Sequence, residues 1–105
     1  MSHETSYVKA ISLKELVDVE TIKAEVSLGN IIIVRITGLA KKSVEQTRIA
    51  INELLDHVQG LGGDIARLGE ERIVLTPPGV KIWRREHELQ ETEVSAATPE
   101  FSTSP

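Results

Sequence analysis

The glycine-rich stretch "GLGGDIARLGEE" at residues 60–71 is the part of the sequence most suggestive of ligand chemistry. Glycine-rich loops bind phosphates because their backbone N–H groups reach the anion without obstruction by side chains. Here, however, no Lys-Ser/Thr pair follows the glycines, and a predicted helix precedes them instead of following them. Both features are wrong for a Walker loop or a dinucleotide fingerprint. The cluster instead predicts a sharp helix-to-strand turn with a positive φ angle at Gly62 or Gly63.

The histidines and acidic residues do not form the pattern of a catalytic or metal site. His3, His57 and His87 stand in different segments, without metal-ligand spacing. Glu70 and Glu71 are neighbours in a turn, whereas an acid–base mechanism needs opposed carboxylates. The sequence has no cysteine, which excludes disulfides and thiolate nucleophiles. We therefore expect a protein that is not an enzyme and that uses no cofactor and no metal.

The composition is that of one small globular domain with an acidic C-terminal segment. The 105 residues are 40% hydrophobic and 27% charged, and no apolar run approaches the length of a membrane span. The net charge of −4 is uneven, because residues 86–105 hold five acids and no Lys or Arg. The rest of the chain is near neutral, so no basic stripe predicts a nucleic-acid partner. A small RNA-binding or nucleotide-binding domain is the least favoured alternative.

The apolar pattern predicts the element order β-α-β-α-β-β-β. The predicted strands cover residues 7–13, 30–36, 64–69, 72–76 and 80–84, and residues 37–42 are predicted to form a loop. Two helices on one face of a mixed sheet of about five strands make an α/β fold of the α+β sandwich type. The expected domain organisation is a disordered N-terminus at 1–6, a core domain at 7–85 and a disordered acidic tail at 86–105.

The two predicted helices carry capping residues and apolar stripes. Asp18 is placed to cap the first helix, while the capping-box spacing of Ser12 and Glu15 would start a longer one. Gly29 stands where a left-handed residue ends the helix. Ser43 and Gln46 have the spacing of a capping box at the start of the second helix. The apolar stripe of the second helix is predicted to face the core; it consists of Val44, Thr47, Ile51, Leu54, Leu55 and Val58.

The last predicted strand, "VKIWR", alternates apolar and basic residues. Alternation places Val80 and Ile82 on one face of the sheet, and Lys81 and Trp83 on the other. If the first face meets the helices, Trp83 is displayed on the open face as an interface anchor. The alternative is that Trp83 lies flat along its own sheet beneath the Lys and Arg side chains.

Three runs together resemble a known family: "VKAISLKEL", "GNIIIVRI" and "GGDIARLGEERIVLTPPGVKI". Over residues 7–82 the sequence is similar to the core domain of the SepF-type cell-division proteins, particularly the archaeal branch. The resemblance implies a homodimeric, non-enzymatic adaptor that binds the C-terminal peptide of FtsZ, the tubulin-like division GTPase. It also implies a cytoplasmic protein that acts at the division site, on the inner face of the membrane, where it helps to organise or anchor FtsZ filaments.

The resemblance implies which residues meet the partner. In the family, the second helix and the strands after the glycine pair form most of the peptide-binding surface. The positions carried over to this sequence are Arg48, Ile51, Asn52, Leu55, Gly62, Gly63, Asp64, Ile65 and Arg67. The expected dimer interface includes Gly63, Ile65 and Trp83.

This sequence also departs from the family pattern. Gln59 stands where many relatives have an aromatic residue. The second helix reads "INELL" in the region where bacterial members also tend to carry an aromatic residue. These departures predict weakened or retuned peptide binding. The N-terminal "MSHETSY" is too short and polar for an amphipathic anchor, so the chain gives no support for membrane contact of its own. Either it is a piece of a longer protein or it reaches the membrane through another protein; a soluble, self-assembling scaffold without FtsZ binding is the alternative function.

Overall fold

A computed structural model describes residues 5–84 of the chain. Its elements are β1 (Val8–Ser12), α1 (Asp18–Ser27), β2 (Ile31–Arg35), α2 (Thr37–Lys42), α3 (Val44–Leu61), β3 (Asp64–Leu68) and β4 (Arg72–Thr76). The first four predicted strands and both predicted helices are confirmed. The disorder predicted for residues 86–105, and the domain boundary at residue 85, lie outside the described residues, as do residues 1–4.

The four strands form one mixed sheet in the order β1-β2-β4-β3. β1 is parallel to β2, whereas β4 is antiparallel to both β2 and β3. The register aligns Ile32, Leu75 and Ile65 across three strands, on the face that the helices cover. β2 and β4 are the interior strands, and β2 buries Ile32 and Val34 on the helix-covered face while Ile33 lies on the opposite one.

The helices pack on this face, and α3 does so through only part of its predicted stripe. Leu54 and Val58 are buried as predicted, whereas Val44 is 66% exposed and Ala50, outside the predicted stripe, is buried. Val19, Ile22 and Val26 of α1 are buried. These side chains, together with the inward-facing residues of β2 and β4, make one apolar core. The core therefore lies between the sheet and the helices.

The two predicted N-caps have different outcomes. The Ser43 hydroxyl accepts the backbone N–H of Gln46 at 3.0 Å, which confirms the cap of α3. Asp18 instead forms the first residue of α1, and its carboxylate accepts the N–H groups of Lys14 and Glu15, both at 2.9 Å. These two bonds are the largest causes that lower the pKa of Asp18. Asp18 thus orders the turn before the helix and does not cap the helix itself.

The prediction of a loop at residues 37–42 is wrong, because this segment forms the short helix α2. Leu39 is fully buried, and its N–H donates to the carbonyl oxygen of Leu13 at 3.0 Å. Gly38 permits this close approach, since a Cβ atom there would lie 3.2 Å from the same oxygen. Burial of one leucine, together with the bond to the loop after β1, therefore holds the helix in place.

The predicted strand at residues 80–84 is also wrong, so the described sheet has four strands instead of about five. After the Pro77–Pro78 turn, the Val80 carbonyl accepts the Thr76 hydroxyl at 2.7 Å. The N–H of Ile82 donates to the Asp64 carboxylate at 2.9 Å. Side chains hold this segment at the start of β3 in place of a backbone ladder, so the two-faced alternation assumed for it does not apply.

The face of the sheet opposite the helices has an apolar centre, flanked by Arg35 and Arg72 at one end and by Asp64 at the other, and we name it the open sheet face. Ile33, Val74 and Ala66 align across its centre and are half-buried. Val8 and Leu68 lie towards its two edges and are 64% and 48% exposed. Among the described residues, the buried core lies entirely on the other side of the strands.

Candidate peptide-binding groove

A shallow groove of about 280 Å³ lies between α3 and the end of β3. Its lining residues are Ile36, Val44, Thr47, Arg48, Ile51, Asn52 and Arg67. Arg48, Ile51, Asn52 and Arg67 were all predicted as partner-binding residues, and the fold brings them together. On α3 they follow helical spacing and share one face. Arg67 reaches the groove because it shares the helix-facing side of β3 with Ile65.

The floor of the groove is aliphatic. Ile36 is buried between β2 and α2, Ile51 is half-buried on α3, and Val44 is 66% exposed at the margin. The hydroxyl of Thr47 donates to the carbonyl of Ser43 at 2.8 Å within its own helix. The groove therefore offers mainly apolar surface to a ligand, as grooves that take apolar peptide side chains do.

Two arginines flank this floor with much of their hydrogen-bonding capacity unused. Arg48 Nη1 lies 3.8 Å from Glu45 Oε1, and both side chains are more than half exposed, so the ion pair contributes little. Arg67 Nη2 donates to the Glu70 carbonyl at 3.2 Å. A guanidinium has five N–H donors and binds carboxylates in a bidentate fashion. The arrangement suits a peptide that combines apolar side chains with carboxylates.

Three predicted partner-binding residues lie at the other end of β3. Gly62 ends α3 with a φ angle of +86°, which confirms the predicted positive φ. Gly63 packs so closely on the Thr76 carbonyl oxygen that a Cβ atom would collide with it. Asp64 is engaged within the chain, where burial acts to raise its pKa but hydrogen bonds from Ile82, Arg84 and Ile65 outweigh it and hold the pKa low. These residues position β3 and do not line the groove.

The remaining residues predicted to bind the partner or to form the dimer interface lie in different parts of the fold, outside the groove. Leu55 is half-buried on α3, one turn beyond Ile51. Ile65 packs against the core on the helix-facing side, away from the open sheet face, and Trp83 is 79% exposed in the segment after β4. The roles assigned to Gly63, Ile65 and Trp83 at a dimer interface stay predictions.

The sequence reasoning missed Ile36, Val44 and Thr47 as lining residues. Val44 and Thr47 belong to the apolar stripe of α3, which was assigned to the core as a whole. Helical periodicity identifies a stripe that is removed from water, but it does not separate the core from a groove at its margin. Ile36 is the last residue of the apolar run that predicted β2, and nothing in the sequence distinguished it as a lining residue of the groove.

Residues 5–84 show no arrangement typical of a metal site or of a membrane-spanning helix. This part of the chain has no group of three or more His, Asp or Glu side chains that could hold a metal ion. His57 Nε2 lies 3.0 Å from Ser27 Oγ and links α3 to α1. No helix in the described range is long and apolar enough to cross a membrane.

A family model described as "Cell division protein SepF" matches residues 8–82. The chain belongs to the SepF family. The matched range nearly coincides with residues 7–82, on which the resemblance was based, and so confirms it. No curated protein matches the chain.

Solved SepF-like structures share the fold. A SepF-like protein from Archaeoglobus fulgidus is 29% identical with a TM-score of 0.69, covering 74% of this chain and 93% of that one. A SepF-like protein from Pyrococcus furiosus is 27% identical with a TM-score of 0.70, covering 79% and 100%. Cell division protein SepF from Methanobrevibacter smithii, solved in complex with FtsZ-CTD, is 20% identical with a TM-score of 0.67, covering 75% and 99%. At that identity the last similarity establishes the fold alone.

Proposed function

We propose that this SepF-family chain is a non-enzymatic cell-division adaptor that binds the C-terminal peptide of FtsZ in the groove between α3 and β3. The groove itself carries the proposal, because it places an aliphatic floor between Arg48 and Arg67. The Methanobrevibacter smithii relative, whose structure contains FtsZ-CTD, supports the choice of partner. Family membership supports the role in division.

The dimensions of the groove predict weak, reversible binding. A volume of about 280 Å³ accommodates a few side chains, and burial of each aliphatic anchor stabilises the complex by about 1.5–3 kcal/mol. Ordering the peptide offsets part of this gain. A dissociation constant on the order of 1–100 μM is the expected result. Such an affinity suits an adaptor that contacts many subunits of a filament at once.

Calorimetric titration with the cognate FtsZ C-terminal peptide tests the proposal. Arg48→Gln and Arg67→Gln should each weaken binding by roughly 5- to 20-fold, because each removes a charge-assisted contact. Lys41→Gln is the matched control, since Lys41 is an exposed cation on α2 outside the groove. Absence of saturable binding to the wild-type chain would overturn the proposal.

The adaptor is further proposed to form a homodimer through the open sheet face. The apolar row of Ile33, Val74 and Ala66 supports this contact, because contiguous apolar surface favours a protein partner and a twofold axis makes one patch self-complementary. Light scattering on the purified chain tests it, with a dimeric mass expected at micromolar concentration. A monomeric mass at high concentration would contradict it.

In the cell, the dimer is proposed to act in the cytoplasm at the division site, on the inner face of the membrane, where it organises or anchors FtsZ filaments. A fluorescent fusion should co-localise with the FtsZ ring, and Arg67→Gln should reduce that localisation. Localisation of the fusion to the division site that persists after FtsZ is depleted would argue against this recruitment.

A further inference from the structure

The sequence beyond Arg84 matches the chemistry of the groove. Residues 86–94 read "EHELQETEV", which combines four glutamates with Leu89 and Val94. The residues that line the groove include two arginines and no acid. We propose that residues 86–94 occupy the groove of their own chain and compete with the partner peptide for it. The competition rests on the proposed function, whereas the occupancy does not.

The segment starts close to the groove. Arg84 Nη2 donates to the Ile65 carbonyl at 2.7 Å, and Nη1 donates to the Asp64 carboxylate at 3.2 Å. Arg67 follows Ile65 by two positions on the same strand, which is about 7 Å at the rise of a β-strand. The chain therefore leaves its last described anchor two strand positions before the arginine at one side of the groove.

The segment is also long enough to follow the groove. The α3 residues that line it run from Val44 to Asn52, a length of about 12 Å at 1.5 Å per residue. An extended chain covers about 3.3 Å per residue, so residues 86–94 reach about 30 Å. Two or three residues bring the chain to Arg67, and the remainder spans the floor.

Charge and apolar content agree with this placement. Glu86 and Glu88 come first along the chain, where their carboxylates can meet the guanidinium of Arg67. Leu89 follows and supplies an aliphatic anchor for the floor formed by Ile36 and Ile51. A tethered ligand has an effective concentration of about 1 mM. Contacts with an intrinsic dissociation constant of about 0.1–0.5 mM would therefore keep roughly two thirds to nine tenths of the grooves occupied.

Disulfide trapping tests the occupancy in the full chain. The sequence has no cysteine, so the double variant Asn52→Cys with Thr92→Cys contains one possible intramolecular pair. Its matched control joins the same Thr92→Cys to Thr21→Cys, because Thr21 is exposed on α1 and does not line the groove. Under mild oxidation, the groove pair should form a monomeric cross-link about tenfold faster than the control. Equal rates, or cross-linked dimers without cross-linked monomers, would overturn occupancy within one chain.

Peptide titration tests the competition. Replacing Glu86, Glu88, Glu91 and Glu93 by Gln together should tighten binding of the FtsZ peptide by about 3- to 10-fold, since the internal competitor is weakened. Glu15→Gln with Asp56→Asn removes negative charge from exposed positions elsewhere in the chain and should leave the affinity within about twofold. An unchanged affinity in the fourfold variant would overturn the competition. If neither protein binds the peptide while the groove cross-link still forms, the proposed function fails and the occupancy stands.

Discussion

The guanidinium of Arg84 lies across the carboxylate of Asp64, with Nη1 3.2 Å from Oδ2 and Nη2 3.4 Å from Oδ1. The same carboxylate accepts the N–H of Ile82 at 2.9 Å. These bonds fasten the segment after β4 to the start of β3, the strand that carries Arg67 into the groove. Together with the ladder to β4, these contacts fix the start of the strand whose other end lines the groove.

Asp64→Ala should release this segment. Loss of the carboxylate leaves the Ile82 N–H without its acceptor and removes the ion pair with Arg84, which keeps only carbonyl acceptors. This should cost about 1–3 kcal/mol of the free energy of unfolding. Urea unfolding measures the loss, and the fluorescence of Trp83, the only tryptophan, reports on the segment directly. Asp56→Asn, at an exposed position on α3, is the control. Wild-type stability and an unchanged emission spectrum would show that the segment is held by other contacts.

Acid should weaken the same contacts. The pKa values of Asp18 and Asp64 lie below the ordinary value of 3.8. A carboxylate with a lowered pKa stabilises the fold fully above its unfolded pKa and loses that effect as pH falls through the folded pKa. The contribution of these two groups should therefore be constant between about pH 7 and pH 5 and decline below about pH 4. Urea midpoints measured from pH 7 to pH 3 should fall less steeply for Asp18→Asn with Asp64→Asn; identical slopes would contradict the prediction.

Gly63→Ala should destabilise the protein by at least about 3 kcal/mol, because the added Cβ atom collides with the Thr76 carbonyl oxygen. Gly60→Ala is a matched control within the same glycine cluster. It lies in α3 with open space around its Cβ position, so it should stabilise the helix by about 0.5–1 kcal/mol. Thermal unfolding separates the two, and similar melting temperatures would refute the packing argument at Gly63.

Val74→Glu should convert the proposed dimer to a monomer. The substitution places a charge at the centre of the open sheet face, where desolvation on association would be unfavourable. The dimer dissociation constant should rise by more than about 100-fold, as measured by light scattering or sedimentation. Thr21→Glu makes the same change on the exposed surface of α1 and should leave the dimer intact. A dimeric Val74→Glu variant would exclude this face as the interface.

Ile51→Ala should weaken binding of the FtsZ peptide by about tenfold, because it removes part of the aliphatic floor. Ile49→Ala provides the comparison on the same helix, since Ile49 is 39% exposed and lies outside the groove. Circular dichroism confirms that both variants fold before the titrations. Equal affinities for the two variants would place the peptide elsewhere on the surface.

Long periodic segments of this fold could be predicted, whereas short segments held by single contacts could not. The apolar run of β2 and the stripe of α3 contain enough residues to define a period. The helix α2 is too short for that, and its position depends on the burial of Leu39 against the loop after β1. The segment at residues 80–84 alternates like a strand, but its hydrogen-bond acceptor is the side chain of Asp64, which sequence spacing does not reveal.

The groove could be predicted only in part. Family resemblance supplied Arg48 and Arg67, which are far apart in the sequence and meet only because β3 lies beside α3. The sequence did not show that Asp64 turns away from the groove to hold Arg84. Such a choice between competing partners depends on the three-dimensional path of the chain.

The strand order has a consequence during synthesis on the ribosome. β4 pairs with β2, yet β2 ends at Arg35 and β4 begins only at Arg72. At a translation rate of about 5–20 residues per second, the nascent chain carries an unpaired edge on β2 for roughly 2–7 s. An apolar edge of this kind can pair with neighbouring chains. Aggregation of this protein should therefore depend on the rate at which ribosomes translate the codons for residues 36–71.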